Sequence, residues 1–385
     1  MASPSSPGLT APTVLVEPLA PTFAQRFGSF RQRYQVALDV LFFFAGFGFD
    51  VALLRRIDNT PLLVHQGIYL ALAAGLILWD HELHVQGGEP GGLLGKLASV
   101  RLWALHFFLG TLLNAFLIFY FRASSGVSAF AFLVALAVVV VVNEAPRFRD
   151  RGPIVRVLLL SFSVTTYLAY LLPVVWGELR TWQYAVAVVM GAGATFALWR
   201  LSARLTHDPQ WTFGRAVTPG LFLQGALLGL YLVGVIPPVP LSLRHIGIYS
   251  SVTPHKVDGR PHYTLEFQPA PAWQLWRLED EVFVSPAGAR AWAFVRIFAP
   301  ARFRDEVAFA WEYDDADRGW TSRGSPFTTV LSGGNEEGYR TFAFATMGRP
   351  GRYRVRVLTT DGREIGRKSF TYVEGVPSTR RTQED

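Results

Sequence analysis

A change of hydrophobic period near residues 237–240 constrains the fold of this chain more than any other sequence feature. Before it, seven apolar stretches have the length of helices, and after it short segments alternate bulky with small or polar residues. Hydrophobic residues make up 50% of the chain and charged residues only 17%, and the apolar ones come in blocks, as in membrane proteins. The pattern predicts an α-helical polytopic membrane domain followed by an all-β, antiparallel, sandwich-like C-terminal domain.

The apolar stretches match the thickness of a bilayer, since a hydrocarbon core of roughly 30 Å takes about 20 helical residues. We expect residues 1–21 to be disordered and residues 22–33 to form an interfacial amphipathic helix, because Phe23, Phe27 and Phe30 recur at helical spacing. A seven-helix transmembrane domain is predicted over 34–240, a β-sandwich domain over 241–375 and a disordered tail over 376–385. The predicted spans are 34–54, 61–79, 101–121, 125–143, 154–176, 182–201 and 218–236.

Basic residues in the loops predict the orientation, because they concentrate on the cytoplasmic side of membrane proteins. The N-terminal side carries eleven: Arg26, Arg31, Arg33, Lys96, Arg101, Arg147, Arg149, Arg151, Arg200, Arg204 and Arg215. The opposite side carries four before the C-terminal domain: Arg55, Arg56, Arg122 and Arg180. We therefore expect a protein of the bacterial cytoplasmic (inner) membrane with a cytoplasmic N-terminus and an extracytoplasmic C-terminal domain. The proline-rich exit at 237–240 is the expected point of communication between the two halves.

The composition excludes several function classes. The chain has no cysteine, which removes disulfides, thiolate metal sites and a cysteine nucleophile. Its net charge of +7 comes mostly from the loops between apolar stretches, and no basic helix or RNA-binding motif accompanies it, so nucleic acid is not an expected partner. The lipid bilayer is the expected partner, and no cofactor is indicated.

Polar residues inside predicted spans are candidate functional residues, because an unpaired charge in hydrocarbon is costly. The alternative is pairing between helices, which needs no substrate. The candidates are Asp39, Asp50, His106, Asn114 and Glu144.

A histidine-rich segment at the end of the second span suggests a possible metal site. His81 and His84 are one helical turn apart, and His106 begins the third span at a similar depth. Three imidazoles with Glu82 nearby can ligate a divalent metal that activates water, although the spacing is not the two-histidine, four-apart pattern of zinc proteases. The alternative is a solvated interfacial loop, which the glycines at 87, 88, 91 and 92 favour.

The C-terminal domain alternates with period two, which predicts half-buried antiparallel strands. Tyr353, Val355 and Val357 are expected to face inward, and Asp361 with Gly362 to form the turn of the last hairpin. Several tryptophans invite a ligand-binding interpretation, although most are expected in the core, and Trp320 is expected to be exposed in a loop. The candidate binding residues are Trp320, Asp315, Asp317, Tyr339 and Arg340.

The C-terminal region resembles a bacterial family, the domain of unknown function 2914. The similarity lies in Trp311-Glu312-Tyr313, in Gly338-Tyr339-Arg340-Thr341, in Pro350-Gly351-Arg352-Tyr353-Arg354-Val355 and in the segment from Asp361 to Phe370. It covers residues 282–373. The resemblance implies a β-domain that commonly follows a multi-span region, and it assigns no catalytic residues. Tyr353 stands where the family usually carries Trp.

Three functions remain open from the sequence. The leading hypothesis is a non-catalytic membrane protein whose extracytoplasmic domain binds a protein, a glycan or another envelope component, as a scaffold or sensor. The first alternative is a membrane-embedded metal-dependent enzyme that acts on lipid head groups through His81, His84 and His106. The second is a transporter, for which no internal repeat of hydropathy gives support.

Overall fold

The computed structural model describes residues 57–87, 91–124, 127–144, 152–206, 211–257, 259–271, 279–334, 337–377 and 379–385. All of them belong to one compact unit, Leu54–Asp385. The segments 1–21 and 22–33, the first predicted span at 34–54, and the candidates Asp39 and Asp50 lie outside the described residues.

Helices fill the N-terminal part of the described chain. Proline in the first turn opens α1, α4 and α7, where its missing N–H costs no hydrogen bond. Gly87 and Gly177 end α1 and α4 with positive φ, the left-handed conformation that glycine adopts without strain. The helices are α1 (Thr60–Gln86), α2 (Gly92–Ala123), α3 (Val127–Glu144), α4 (Pro153–Trp176), α5 (Thr181–Thr206), the one-turn α6 (Phe213–Ala216) and α7 (Thr218–Leu232).

Six of these helices coincide with predicted spans, but the prediction of seven spanning helices is not supported. Within the described ranges, four helices are long and apolar enough to cross a membrane: Thr60–Val85, Gly92–Ala123, Pro153–Trp176 and Thr181–Leu205. Helix α7 has 15 residues, which span about 22 Å at 1.5 Å per residue. In α3 the apolar segment Phe130–Val139 is shorter than these four.

A hydrogen-bonded polar network joins α4, α5 and α7 inside the bundle. Gln224 Nε2 donates to Ser161 Oγ at 2.8 Å, and Thr165 Oγ1 donates to Gln224 Oε1 at 2.8 Å. Ser161 Oγ also donates to the carbonyl of Gly191 at 2.9 Å. A Cβ atom at Gly191 would overlap Thr165 Oγ1, so this part of the bundle interior is closely packed through its small residues.

In the described part of the C-terminal region, twelve strands form three sheets. The first has the order β1-β5-β9, the second β4-β11-β10-β6-β7 with β8 also on β6, and the third β12-β3-β2. The strands are β1 (Ser242–Tyr249), β2 (Ser251–Val257), β3 (Arg260–Phe267), β4 (Val282–Ser285), β5 (Arg290–Phe298), β6 (Arg304–Asp315), β7 (Gly319–Ser322), β8 (Phe327–Ser332), β9 (Tyr339–Thr346), β10 (Gly351–Thr359), β11 (Glu364–Glu374) and β12 (Arg381–Glu384).

Two predictions about this domain are wrong. Strand β4 pairs with β11 in parallel, so the second sheet is mixed rather than purely antiparallel. The tail is not disordered throughout, because β12 pairs with β3 through backbone hydrogen bonds that need no apolar side chain. The final hairpin is confirmed: Tyr353, Val355 and Val357 are fully buried.

Strand β5 contributes to two hydrophobic cores, one on each face. Ala291, Ala293 and Val295 pack with residues of β6, β10 and β11 in the larger core. Phe294 and the half-buried Trp292 pack on the other side with residues of β2 and β3. The β1-β5-β9 sheet is therefore the middle layer between the other two sheets. Trp311 lies in the larger core as predicted, whereas Trp292 belongs to the smaller one; Trp273 and Trp276 are outside the described residues.

The loop between α4 and α5 is built into the β-domain. Leu179 is 3% exposed and belongs to the larger β core. Its N–H donates to the buried carboxylate of Asp305 at 3.2 Å, and Arg180 Nη1 donates to the same carboxylate at 2.9 Å. The carbonyl of Gly177 accepts a hydrogen bond from the Arg304 N–H at 2.7 Å. The backbones approach closely here, because a Cβ at Gly177 would lie 2.5 Å from the carbonyl oxygen of Arg302. The loop between α4 and α5 thus contributes to the core of the β-domain.

The final hairpin makes a second contact with the bundle. Asp361 accepts hydrogen bonds from the backbone N–H of Thr181, at 2.7 Å, and from its hydroxyl, at 2.8 Å, so it caps the N-terminus of α5. Arg363 lies over the ring of Tyr231, 3.2 Å from the centroid, and donates to the Tyr231 carbonyl at 2.9 Å. The two halves therefore contact each other at residues other than those of the proline-rich exit.

Candidate functional site: an arginine-lined cleft

Three residues lie side by side across the middle sheet. His245 on β1 pairs with Arg296 on β5, and Arg296 pairs with Arg340 on β9. Paired residues of neighbouring strands point to the same face of a sheet, and here that face is the one that also carries Phe294. A β-bulge between Leu243 and His245 inserts Arg244 as an extra residue of β1. Bulges redirect side chains in this way near binding sites.

The arginines line a cleft of about 550 Å³, together with the end of strand β12. Asp385 lies between two of them: its carboxylate is 3.0 Å from Arg340 Nε and 3.3 Å from Arg296 Nη1. The Asp385 side chain is 8% exposed. Arg340 also pairs with Glu337 at the rim. The described residues that line the cleft are Arg244, Arg296, Glu337, Arg340, Gln383, Glu384 and Asp385.

The charge arrangement favours a bound anion between the strands. Like charges directly opposite on adjacent strands destabilise a sheet, and Arg296 and Arg340 are such a pair. The Asp385 carboxylate offsets their repulsion. Arg296 Nε is buried and has no hydrogen-bond partner among the described residues. Arginine suits this role because its fork of N–H groups matches carboxylate and phosphate geometry.

A buried polar cluster lies next to the arginines. His245 Nε2 is 2.8 Å from the hydroxyl of Tyr249, which donates to Glu279 Oε1 at 3.0 Å. Glu279 Oε2 accepts from the backbone N–H of Ile248 at 3.0 Å. Lys368 Nζ lies 3.8 Å from the same oxygen.

The pKa values of this cluster are shifted by burial. Desolvation lowers the pKa of the His245 imidazole, although Glu279 opposes the shift; Arg296 adds to it. Desolvation raises the pKa of the Tyr249 hydroxyl, and the charge of Glu279 raises it further. Both groups are therefore neutral near neutral pH.

The predicted binding residues do not form one site. Arg340 lines the cleft, and the adjacent Tyr339 packs half-buried against the larger core. Trp320, Asp315 and Asp317 belong to the hairpin β6–β7 of another sheet. The prediction that Trp320 is exposed in a loop is wrong: it lies half-buried on β7.

Two arginines explain the partial burial of Trp320. Arg354 lies over its ring, 4.2 Å from the centroid, and Arg352 lies 5.8 Å away. Cation–π contacts of this kind favour a tryptophan held against its own sheet. Asp315 Oδ1 accepts from the backbone N–H groups of Asp317 and Arg318, at 3.1 and 3.2 Å, so Asp315 stabilises the turn.

The structure does not assemble His81, His84 and His106 into a ligand set. Helix α1 continues to Gln86, so the loop interpretation of this segment is wrong. His81 is buried with its ring centroid 4.5 Å from that of Trp211, whereas His84 is exposed. Over the described ranges, no three His, Asp or Glu side chains are placed to hold a metal ion.

The other intramembrane candidates lie on helices α2 and α3. His106 and Asn114 are half-buried on α2, and Glu144 is the last residue of α3. A charged group that the sequence analysis did not single out lies at the bundle end far from the β-domain. Asp80 is 2.7 Å from Arg101 Nε and also pairs with Arg156. This triad links α1, α2 and α4.

Comparison with known proteins adds no identification. No protein-family model matches the chain, and no curated protein does either. Among solved structures, the chain is similar to Pseudomonas fluorescens alkylpurine DNA glycosylase AlkC bound to DNA containing an abasic site analog. The identity is 12%, the TM-score is 0.21, and the match covers 83% of this chain and 98% of that chain. At that TM-score the similarity supports no statement about fold or function.

Proposed function

We propose that this chain is a multi-pass protein of the bacterial cytoplasmic membrane whose extracytoplasmic β-domain binds an anionic envelope component through the arginine-lined cleft. The ligand supplies carboxylate or phosphate groups, from an acidic protein segment or a charged glycan. The protein acts as a scaffold or sensor, without catalysis of its own.

The observation that carries this proposal is the in-register arginine pair. Arg296 and Arg340 face each other on adjacent strands, an arrangement that weakens the sheet unless an anion lies between them. Among the described residues, the buried Arg296 Nε atom has no hydrogen-bond partner. The Asp385 carboxylate lies in that position, and arginine side chains bind carboxylates and phosphates alike, so the site is suited to an exchangeable anion.

The helix ends that contact the β-domain support the proposed orientation. The β-domain contacts Asp58 before α1, Leu179 after α4 and Tyr231 at the end of α7. None of these positions lies in the loops that carry the eleven basic residues, at 26–33, 96–101, 147–151 and 200–215. By the positive-inside rule those loops face the cytoplasm, so the β-domain lies outside.

We also propose that the β-domain has a sandwich-type fold and is related to the domain of unknown function 2914. The resemblance to the domain of unknown function 2914 covers residues 282–373, which contain strands β4 to β11 apart from the last residue of β11. Tyr353, which replaces the usual Trp, keeps the aromatic role because it lies fully buried against Phe370 and Tyr372.

The test uses the full chain in lipid nanodiscs, because the core of the β-domain includes Leu179, a residue of the loop between α4 and α5. Binding of poly-glutamate peptides and of an array of charged and neutral glycans is measured for the native chain. The Arg340→Ala variant is expected to bind the anionic ligands at least tenfold more weakly, because a charge-assisted hydrogen bond contributes about 1.5–3 kcal/mol.

Arg318→Ala is the matched control, since it removes the same charge from an exposed turn. It is expected to bind within twofold of the native chain. Equal loss in both variants would indicate a diffuse charge effect, and no binding of any anionic ligand by a correctly folded chain would overturn the proposal.

A further inference from the structure

We infer that strand β12 and Asp385 are an internal, displaceable occupant of the arginine cleft, and that the partner is an extended peptide segment with a carboxylate side chain that replaces them on the edge of β3. This inference rests on the proposed function and specifies the class of ligand and its regulation. The partner adds one strand to the third sheet and inserts a carboxylate between Arg296 and Arg340.

Strand β12 is held by few interactions. All four of its residues are exposed, and among the described strands it pairs only with β3, at the edge of a three-stranded sheet. Its side chains add no apolar group to either core, because they are Arg, Thr, Gln and Glu. Exposed contacts such as the 3.2 Å pair between Glu384 and His255 contribute little to stability.

Asp385 is the anchor of this segment. Its side chain is the least exposed part of the segment and contacts both arginines. Its backbone completes the pairing with Tyr263, with N–H···O distances of 3.0 and 3.3 Å. The carboxylate in the cleft and the backbone pairing on β3 therefore belong to one short stretch, so both are released together.

Release of the segment creates a site with two complementary features. Without Glu384 and Asp385, the charged residues that line the cleft are Arg244, Arg296, Arg340 and Glu337, a net charge of +2 from three positive groups and one negative group. The edge of β3 becomes free at the same time. An unpaired edge accepts an extended peptide through main-chain hydrogen bonds, and the arginines select a peptide that ends its pairing on a carboxylate.

The test measures binding of a labelled peptide with the sequence of residues 376–385 to the full chain in nanodiscs. The first comparison is with a chain shortened to end at Gly375. The shortened chain is expected to bind at least tenfold more tightly, because the internal segment competes at high effective concentration. A peptide with the Asp385→Asn change is expected to bind the shortened chain at least tenfold more weakly than the native peptide.

A second variant covers the case in which the shortened chain does not fold. The full-length Asp385→Asn chain keeps the backbone of β12, and it is expected to bind the native peptide at least threefold more tightly than the unaltered chain does. Absence of this gain overturns the inference. So does a folded shortened chain that fails to bind the peptide or binds both peptides equally.

The results separate this inference from the proposed function. If the full chain binds a charged glycan while the folded shortened chain ignores the peptide, the cleft binds anions but the segment is not an exchangeable occupant. If neither ligand binds, both proposals are wrong. If the full chain binds poly-glutamate or a charged glycan, and the peptide binds the shortened chain in a way that Arg340→Ala abolishes, both are supported.

Discussion

Replacing Leu179 by alanine tests the claim that a loop of the helical bundle belongs to the β core. The residue lies in the connection between α4 and α5, yet it is 3% exposed among residues of β5, β6 and β10. If the contact is as described, the substitution destabilises strands that are more than a hundred residues distant in sequence.

The expected loss follows from the burial of the side chain. Leucine-to-alanine changes at buried sites cost about 2–5 kcal/mol, from the lost transfer free energy and the cavity left behind. A difference of about 1.4 kcal/mol is a tenfold change in an opening equilibrium. Amide exchange of core strands that open with the domain is therefore expected to accelerate by about 30-fold to several thousand-fold.

Hydrogen exchange of the full chain in nanodiscs is the appropriate assay, because it reports strand β10 separately from the helices. Leu331→Ala is the matched positive control, since Leu331 is completely buried in the same core but lies on β8. Val376→Ala, at an 87% exposed position, is expected to change little. Both leucine variants are expected to accelerate exchange of β10 within the range given above.

The reasoning is refuted if Leu179→Ala leaves exchange of β10 unchanged while Leu331→Ala accelerates it. That outcome would mean that the loop touches the β-domain without contributing to its core.

Three further changes test the bundle and the polar cluster. Gly191→Ala is expected to destabilise the bundle, because a Cβ there overlaps Thr165, whereas Gly193→Ala meets no atom within 4 Å and is tolerated; thermal unfolding in nanodiscs compares them. Asp80→Asn leaves two arginines facing each other and is expected to cost about 3 kcal/mol in the same assay. Burial lowers the pKa of His245 in the folded chain, so as the pH falls below about 6.5 the unfolded chain binds a proton at this residue before the folded chain does. The β-domain therefore loses stability on acidification, and His245→Gln is expected to flatten that pH dependence.

Each of these predictions has a contrary result. Equal thermal stability of the two glycine variants would contradict the packing argument. An Asp80→Asn chain as stable as the native one would show that the triad carries no stabilisation. An unchanged acid slope in the His245→Gln variant would assign the pH dependence to other groups.

Local patterns predicted the elements of the fold but not all of their pairings. Alternation identified the buried face of β10, because side chains of a strand point to opposite faces at every second residue. The parallel partner of β11 was not predictable from such a pattern, since β4 has only four residues and pairing direction leaves no local signal. The four polar residues of β12 gave no strand signal at all, because their pairing depends on backbone atoms and an available edge.

The candidate site was predicted in one residue, Arg340. Its neighbours Arg296 and His245 come from strands far apart in the sequence and meet only through register and a bulge. No spacing along the chain encodes that meeting. An arginine within an otherwise apolar strand, as at Arg296 in the run from Ala291 to Phe298, is the signal that could have indicated it. The predicted histidine metal site is not formed, because two residues one helical turn apart can lie on either side of the boundary between a buried and an exposed face. His81 is buried and His84 is exposed.

The Leu179 contact links the β-domain to membrane insertion. Asp305, which binds the Leu179 N–H, follows it by 126 residues, so during synthesis the loop is in place before its acceptor strand exists. The β-domain cannot complete its core unless α4 and α5 have delivered the loop to the side on which the strands emerge. Folding of the C-terminal domain therefore depends on the topology of the helices that precede it.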